Sequence, residues 1–334
     1  MEVEIKVNEA NQRFDRFLRK RFKNTPEVKL GDIYSRLRKG AITVNGKKRE
    51  QAYKLTIGDI VHFSNTDVKK DPTISNRDKK SKKNNISVEK IKEQILYEDK
   101  NRIFWNKPYD IVIHPGNFHT NDLTLNDYLE AYFSYGNKSQ SETFKPSFGF
   151  RLDKDTSGVI VGAKNYDSLQ YINEIIRERK TEKHYIAIVK GTFPSSITMT
   201  EPLFKGFNAK FGRAQTFVNQ EKGLESKTQA FLVDTFSDPM IGKISLVKVK
   251  LFTGRMHQIR VHLSHHGFPI LGDIMYGDNS TNSYIAKKYK ITRQLLHSYS
   301  YGFIDKETGK KIIVQAPIPN DFQKLFPNQK TIDL

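Results

Sequence analysis

The sequence predicts an α+β protein built as a small front unit followed by a larger mixed domain. Three observations predict it. Strands and helices interleave without the regular βαβ period of a doubly wound sheet. No G-x-G-x-x-G string or P-loop opens a helix. One polar, lysine-rich stretch from Asn65 to Asn85 divides the chain. An apolar share of 37% with 22 Phe, 15 Tyr and one Trp is enough for a packed core.

In the front unit of about 65 residues, Phe14, Phe17 and Leu18 repeat at helical spacing with Arg13, Arg16, Arg19, Lys20 and Arg21 between them. A second amphipathic helix runs through Ile33, Tyr34 and Leu37 and carries Arg36, Arg38 and Lys39 on its other face. Gly40 ends that helix, and the alternating Ile42 and Val44 predict a strand entering an Asn45-Gly46 hairpin turn. Gly58-Asp59 leads into a closing strand at Ile60, Val61 and Phe63. The divider holds Lys69, Lys70, Arg77, Lys79, Lys80, Lys82, Lys83 and Pro72 and no aromatic residue. It reads as a flexible basic linker, either a tether that tracks a polyanion or a solvated spacer.

Beyond it, Ile95 to Lys107 reads as strand, turn and strand, with the bend at Glu98 to Asn101. Gly158 to Ala163 is an apolar strand, and Asn165 caps a helix whose Leu169, Ile172 and Ile176 share a face. Lys183 to Val189 returns as a strand. Val247, Val249 and Leu251 alternate with Lys248 and Lys250 in another, and a helix from Met256 to about His266 ends at Gly267. The expected division is 1–65, a linker at 66–86, and a domain at 87–334.

Lys and Arg number 56 against 37 Asp and Glu, a formal charge of +19. Such a surplus points either to a polyanionic partner or to a generally lysine-rich surface. No apolar run approaches the ~20 residues needed to cross a bilayer, so a membrane-spanning protein is excluded. Met1-Glu2-Val3-Glu4 has neither a basic n-region nor an apolar h-region, so no secretory signal is expected, and the protein is expected in the cytoplasm. Without cysteine there is no disulfide framework, thiolate metal site or cysteine nucleophile.

Two segments carry chemistry. In Arg151-Leu152-Asp153-Lys154-Asp155-Thr156-Ser157-Gly158 the carboxylates at i and i+2 are either a glycosidase-like pair or an Asp turn capped by Thr156 and Ser157. Composition does not decide between them. In Thr253-Gly254-Arg255-Met256-His257-Gln258-Ile259-Arg260-Val261-His262-Leu263, helical spacing turns Met256, Ile259 and Leu263 to the core and leaves Arg260 at the edge of the buried face. An arginine so placed commonly pairs with a carboxylate. His257, His262, His265 and His266 invite a zinc reading, but no H-E-x-x-H spacing or Cys partner accompanies them, so polar or phosphate-contacting roles are preferred and no metal is expected.

Taken in order, Ile95 to Asp99, Asn106-Lys107-Pro108, His114-Pro115-Gly116, Arg151-Leu152-Asp153 with Thr156-Ser157-Gly158, Lys183 to Gly191, Thr253-Gly254-Arg255 through Gly272-Asp273, Leu296-His297 and Ala316-Pro317 resemble the motifs of the RluA-type pseudouridine synthases. The front unit resembles the S-four-like RNA-binding module that precedes the catalytic domain in many members, notably those acting on large-subunit ribosomal RNA. The resemblance implies a mixed, mainly antiparallel sheet and isomerisation of uridine in RNA to its C-glycoside, without cofactor or metal, by a single chain. Asp153 matches the family's catalytic aspartate. Arg260 matches the buried arginine that keeps it ionised. Tyr185 matches the active-site tyrosine that stacks on the detached uracil and serves as base. Arg151 matches an arginine that contacts RNA near the everted nucleotide, or else partners Asp155. Arg36, Arg38, Lys39, Lys47 and Lys48 are the RNA contacts expected of the module. Phe150, Met256 and Tyr109-Asp110 depart from the family pattern, which has His, a small hydroxylated residue and Ser-Gly there. Two rival functions remain at this point: an N-glycoside hydrolase using Asp153 and Asp155, and a non-catalytic RNA-binding protein.

Overall fold

The computed structural model describes residues 1–22, 28, 30–64, 88–114, 123–135, 144–209 and 212–333. The expected linker, and Pro115 and Gly116 of the early motif, lie outside the described residues.

In the front unit, β1 (Glu2–Glu4), α1 (Phe14–Arg21), α2 (Leu30–Lys39), β2 (Ile42–Val44) and β3 (Ile60–Phe63) enclose one apolar cluster. Phe14, Phe17 and Leu18 of α1 are fully buried there beside Ile33 and Leu37 of α2, as their spacing predicts. Gly40 is left-handed (φ +73°) at the end of α2. The Asn45-Gly46 turn forms, with both residues at positive φ, but it closes only a single bridge between Val44 and Lys47. The ladder partner of β2 is instead β3, which runs between β2 and β1. The unit touches the rest of the chain through Tyr166, whose N–H donates to the Asn8 carbonyl (3.2 Å) and whose hydroxyl accepts from Arg16 (2.9 Å).

The larger part begins with α3 (Val88–Lys92), β4 (Ile95–Glu98), β5 (Arg102–Lys107), α4 (Leu125–Tyr135), β6 (Ser147–Phe148), β7 (Ser157–Ala163) and α5 (Tyr166–Arg177). It continues through β8 (Thr181–Lys190), β9 (Ser196–Met199), β10 (Leu203–Asn208), β11 (Arg213–Val218), β12 (Thr228–Asp238) and β13 (Gly242–Leu251). It ends with α6 (Gln258–His265), α7 (Asn279–Tyr289), β14 (Leu296–Ile304), β15 (Lys311–Gln315) and α8 (Asn320–Gln323). Ten strands form one sheet along the path β4-β5-β7-β14-β8-β13-β12-β9, with β15 on β14 and β6 on β7. Its pairings are antiparallel except that of β7 with β14, so the α+β class with a mixed, mainly antiparallel sheet holds.

The β7–β14 contact needs a glycine. Gly158 lies at φ +107° against Ser298, and a Cβ there would collide with the Ser298 carbonyl. All seven residues of β7 are buried, which is why that strand reads as a continuous apolar run rather than an alternation. Asn165 caps α5 by accepting the Ser168 N–H (2.8 Å), but Ile175 rather than Ile176 is the buried residue beside Ile172. The helix expected from Met256 starts two residues later, because His257 is left-handed (φ 55°). Gly267 follows it at φ +83°, as a C′ glycine does.

Candidate active site

Asp153 lies on the loop that feeds β7. That loop is held from two sides by cations whose donors meet main-chain carbonyls. Lys107, at the end of β5 and fully buried, donates to the carbonyls of Pro108 (2.9 Å), Lys154 (2.7 Å) and Thr156 (2.8 Å). Arg293 donates to the Asp155 carbonyl (3.0 Å) while Asp321 holds its other face (2.6 and 3.0 Å). Within the loop the Thr156 N–H turns back to the Asp153 carbonyl (3.1 Å).

Arg260 is 5% exposed on α6. Its Nε and Nη2 grip Asp273 in a two-point pair (2.6 and 2.8 Å), and its Nη1 donates to Asp153 Oδ2 (2.8 Å). Asp273 is fully buried and therefore fixes the guanidinium plane, so that the third donor meets Asp153 without a rotamer search. Burial pushes the Asp153 pKa up, but the neighbouring His257, Arg260 through its charge and hydrogen bond, and Lys107 outweigh it, and the net direction is below the usual carboxylate value. The side chain is 27% exposed, so an ionised oxygen meets the cavity. For Arg260, burial opposes the charged form, and the hydrogen bond to Asp273 and the charge of Asp153 restore it with a net upward shift.

Tyr185, from the middle of β8, shares with Asp153, Arg151, Arg260, Lys183 and His257 a cavity of about 420 Å³, within the range of small-ligand sites. Burial raises its pKa, a hydrogen bond with Ser298 opposes this, and the charge of Asp153 raises it further, so the phenol keeps its proton at neutral pH. Arg151 is exposed at the cavity wall. Asp155 does not line the cavity, so the carboxylates at i and i+2 do not form a facing pair there.

The three departures from the family pattern have visible places. Phe150 stacks on Tyr301 (centroids 4.9 Å apart, 11° between planes). Met256 lines the cavity. Tyr109 lies against the Arg293 guanidinium (4.8 Å), and Asp110 pairs with Lys154 (2.9 Å). The five cations expected of the front unit do not line the cavity. Lys48 reaches the Arg38 carbonyl (3.2 Å), which folds the turn carrying Lys47 and Lys48 onto the end of α2 that bears Arg38 and Lys39.

The four histidines divide. His262 is fully buried among Ser226, Thr228 and the Glu201 carbonyl, a polar role rather than a phosphate-contacting one. His266 pairs with Glu201 (2.9 Å), His265 is exposed, and His257 faces Asp153. Among the described residues no group of three or more His, Asp or Glu could hold a metal ion. Sequence reasoning missed Lys107, Asp273 and Tyr276 as site residues. All three fell within quoted motif strings or next to them, and the available signal was a charged or phenolic group in an otherwise apolar stretch.

The mixed sheet presents an ionised, arginine-paired aspartate beside a buried tyrosine in one cavity, an arrangement suited to carboxylate chemistry. Comparison with known proteins gives the class. The family model described as RNA pseudouridylate synthase matches residues 101–265. The ribosomal large subunit pseudouridine synthase C of Buchnera aphidicola subsp. Acyrthosiphon pisum (strain APS) is 36% identical over 328 residues, 96% of this chain and 95% of that protein. That of Vibrio vulnificus (strain CMCP6) is 29% identical, over 98% and 96% of the two chains. Among solved structures, human RNA pseudouridylate synthase domain containing 1 is 26% identical with a TM-score of 0.53, over 70% of this chain and 85% of that one. Human domain containing 4, at 23% identity and a TM-score of 0.56, shares the fold over 74% of this chain and 97% of that one. The chain belongs to the RNA pseudouridylate synthase family, the isomerases that turn uridine in RNA into its C-glycoside.

Proposed function

We propose that this chain isomerises uridine in large-subunit ribosomal RNA with Asp153 as nucleophile. The observation that carries the reading is the Asp153 carboxylate, kept ionised by Arg260 at the wall of a cavity shared with Tyr185. The length-wide similarity to synthases named for the ribosomal large subunit supports the choice of RNA.

The target nucleotide leaves its stack to bring C1′ to Asp153. A carboxylate oxygen forms a bond to C1′ as the C1′–N1 bond breaks, and the electron pair leaves on the uracil ring. The ring turns against Tyr185, C5 bonds to C1′, and the carboxylate departs with its electrons. The proton left on C5 must then go to a base. Burial and the Asp153 charge keep the resting Tyr185 phenol protonated, so it serves as a relay: its oxygen takes the C5 proton as its own hydroxyl proton passes to solvent, and N1 of the ring takes up a proton in exchange. Arg260 opposes protonation of the nucleophile and receives the carboxylate again at the end. We further propose that the chain works as a monomer without a cofactor, in the cytoplasm. Among the described residues no helix is long and apolar enough to cross a membrane.

Residues 1–65 are assigned as the RNA-binding module, 66–86 as a tether and 87–334 as the catalytic domain. The separate apolar core of the front unit and its cluster of Arg36, Arg38, Lys39, Lys47 and Lys48 support this division. Arg151, exposed at the cavity wall, suits a planar contact to the nucleotide beside the target.

The reading is tested by incubating the protein with unmodified ribosomal RNA and mapping pseudouridine by carbodiimide-dependent primer extension. New stops are expected with the wild type and none with Asp153→Asn. Release of free uracil with loss of the base from the chain would identify a hydrolase instead.

A further inference from the structure

We infer that His257 is a positioning residue for Asp153, and that the Tyr276 hydroxyl locks its imidazole in the tautomer that turns Nε2–H toward the carboxylate. This rests on the assignment of Asp153 as nucleophile above.

His257 precedes α6 in the left-handed region (φ 55°, ψ 18°), a conformation uncommon outside glycine that histidine, asparagine and aspartate enter more readily than other residues. Its side chain makes no capping hydrogen bond to the helix, so a capping role does not account for the conformation. What the conformation does is aim the imidazole into the site. Its Nε2 stands 3.8 Å from Asp153 Oδ2, the same oxygen that Arg260 holds. Both contacts fall on Oδ2, so the oxygen assigned to attack the sugar is Oδ1.

The other ring nitrogen decides the tautomer. His257 Nδ1 is 2.9 Å from the Tyr276 hydroxyl, and that hydroxyl oxygen already accepts the Thr216 N–H of β11 (2.9 Å). With its oxygen so engaged, and its own proton retained because burial pushes the phenol up to about 12, Tyr276 donates to Nδ1. An imidazole that accepts at Nδ1 carries its proton at Nε2 when neutral. The Tyr276 ring also lies 5.0 Å from the Arg260 guanidinium, so one side chain touches both groups that hold the aspartate. The arrangement follows the logic of an orienting partner fixing a histidine tautomer beside a nucleophile, with the aspartate here as the group being positioned.

The test is steady-state pseudouridine formation on one RNA with wild type, Tyr276→Phe, His257→Ala, His257→Asn and the double variant that combines His257→Ala with Tyr276→Phe, alongside Asp153→Asn. Tyr276→Phe keeps the ring and removes one hydrogen bond, so kcat should fall about tenfold with KM within about twofold. His257→Ala should lose at least as much, and His257→Asn, which tolerates the left-handed region and retains an N–H, should recover part of it. The double variant should be no slower than His257→Ala, because the hydroxyl acts only through the imidazole. Independently of turnover, imidazole nitrogen shifts should show His257 unprotonated at Nδ1 in the wild type and a tautomer mixture in Tyr276→Phe. Wild-type kcat in Tyr276→Phe, multiplied losses in the double variant, or a proton on Nδ1 in the neutral ring would each overturn the inference while Asp153→Asn stayed inactive. Full turnover by Asp153→Asn would overturn both this inference and the nucleophile it serves.

Discussion

Replacing Lys107 by methionine should destabilise the protein by an amount that grows as the pH rises. Lys107 is fully buried, and its ammonium donates to three main-chain carbonyls, two of them in the Asp153 loop. Burial lowers its pKa from 10.5 to about 7, with Asp155 and Asp153 opposing the fall. The unfolded chain therefore keeps this proton up to 10.5 while the folded chain gives it up near 7. Between those values the unfolded state binds more protons, so stability rises with pH. The full linkage is about 5 kcal/mol, of which about 2 kcal/mol is gained between pH 7 and pH 9. Tyr132 and Tyr276, pushed up to about 12, hold their protons in the folded state and act against stability only at higher pH. The Lys107→Met variant would carry no such dependence, and would leave the three carbonyls without this donor at roughly 1 to 3 kcal/mol each. Urea unfolding followed by the fluorescence of Trp105, the single tryptophan, reports the event directly, since it is buried two residues away on β5. The gap between wild type and Lys107→Met should widen by about 2 kcal/mol from pH 7 to pH 9. A constant or narrowing gap would show that Lys107 stays charged in the fold and would refute the reasoning.

Three further outcomes are expected. Arg260→Met leaves Asp273 buried without its two-point partner and Asp153 without its donor, so it should cost about 3 to 5 kcal/mol by urea unfolding in addition to abolishing turnover. The folded-state pKa of Asp153 is lowered, so its ionised form contributes stability above the usual value of 3.8 that is lost only as pH falls through a lower one. The single-turnover rate should accordingly show no acid limb from Asp153 between pH 7 and pH 5, and a limb moved toward neutral in Arg260→Lys would mark the lost geometry. Gly158→Ala forces a side chain onto the Ser298 carbonyl at φ +107°, and a fall in thermal midpoint with loss of the soluble fold should follow.

Much of the fold was legible because local patterns carried it. The faces of α1 and α2, the Asn165 cap, the bend between β4 and β5 and Gly267 after α6 each follow from a few neighbouring residues. The Asn-Gly turn was legible as a turn and misleading as a hairpin, since the strand before it takes the distant β3 as its ladder partner and the turn closes only the Val44–Lys47 bridge. The start of α6 was misplaced because His257 takes a conformation that no helical spacing announces.

The candidate site divides in the same way. The sequence by itself determined which residue types were available and their order, and by resemblance suggested the roles proposed for Asp153, Tyr185 and Arg260, because motif strings are local and short. Tertiary structure alone decided that Asp273 orients Arg260, that Lys107 and Arg293 hold the Asp153 loop by its carbonyls, that Asp155 is left outside the cavity, and that Tyr276 reaches His257. Each of those depends on where separate strands and helices meet around one desolvated carboxylate, and the energy of such contacts is set by distance and burial in three dimensions rather than by spacing along the chain.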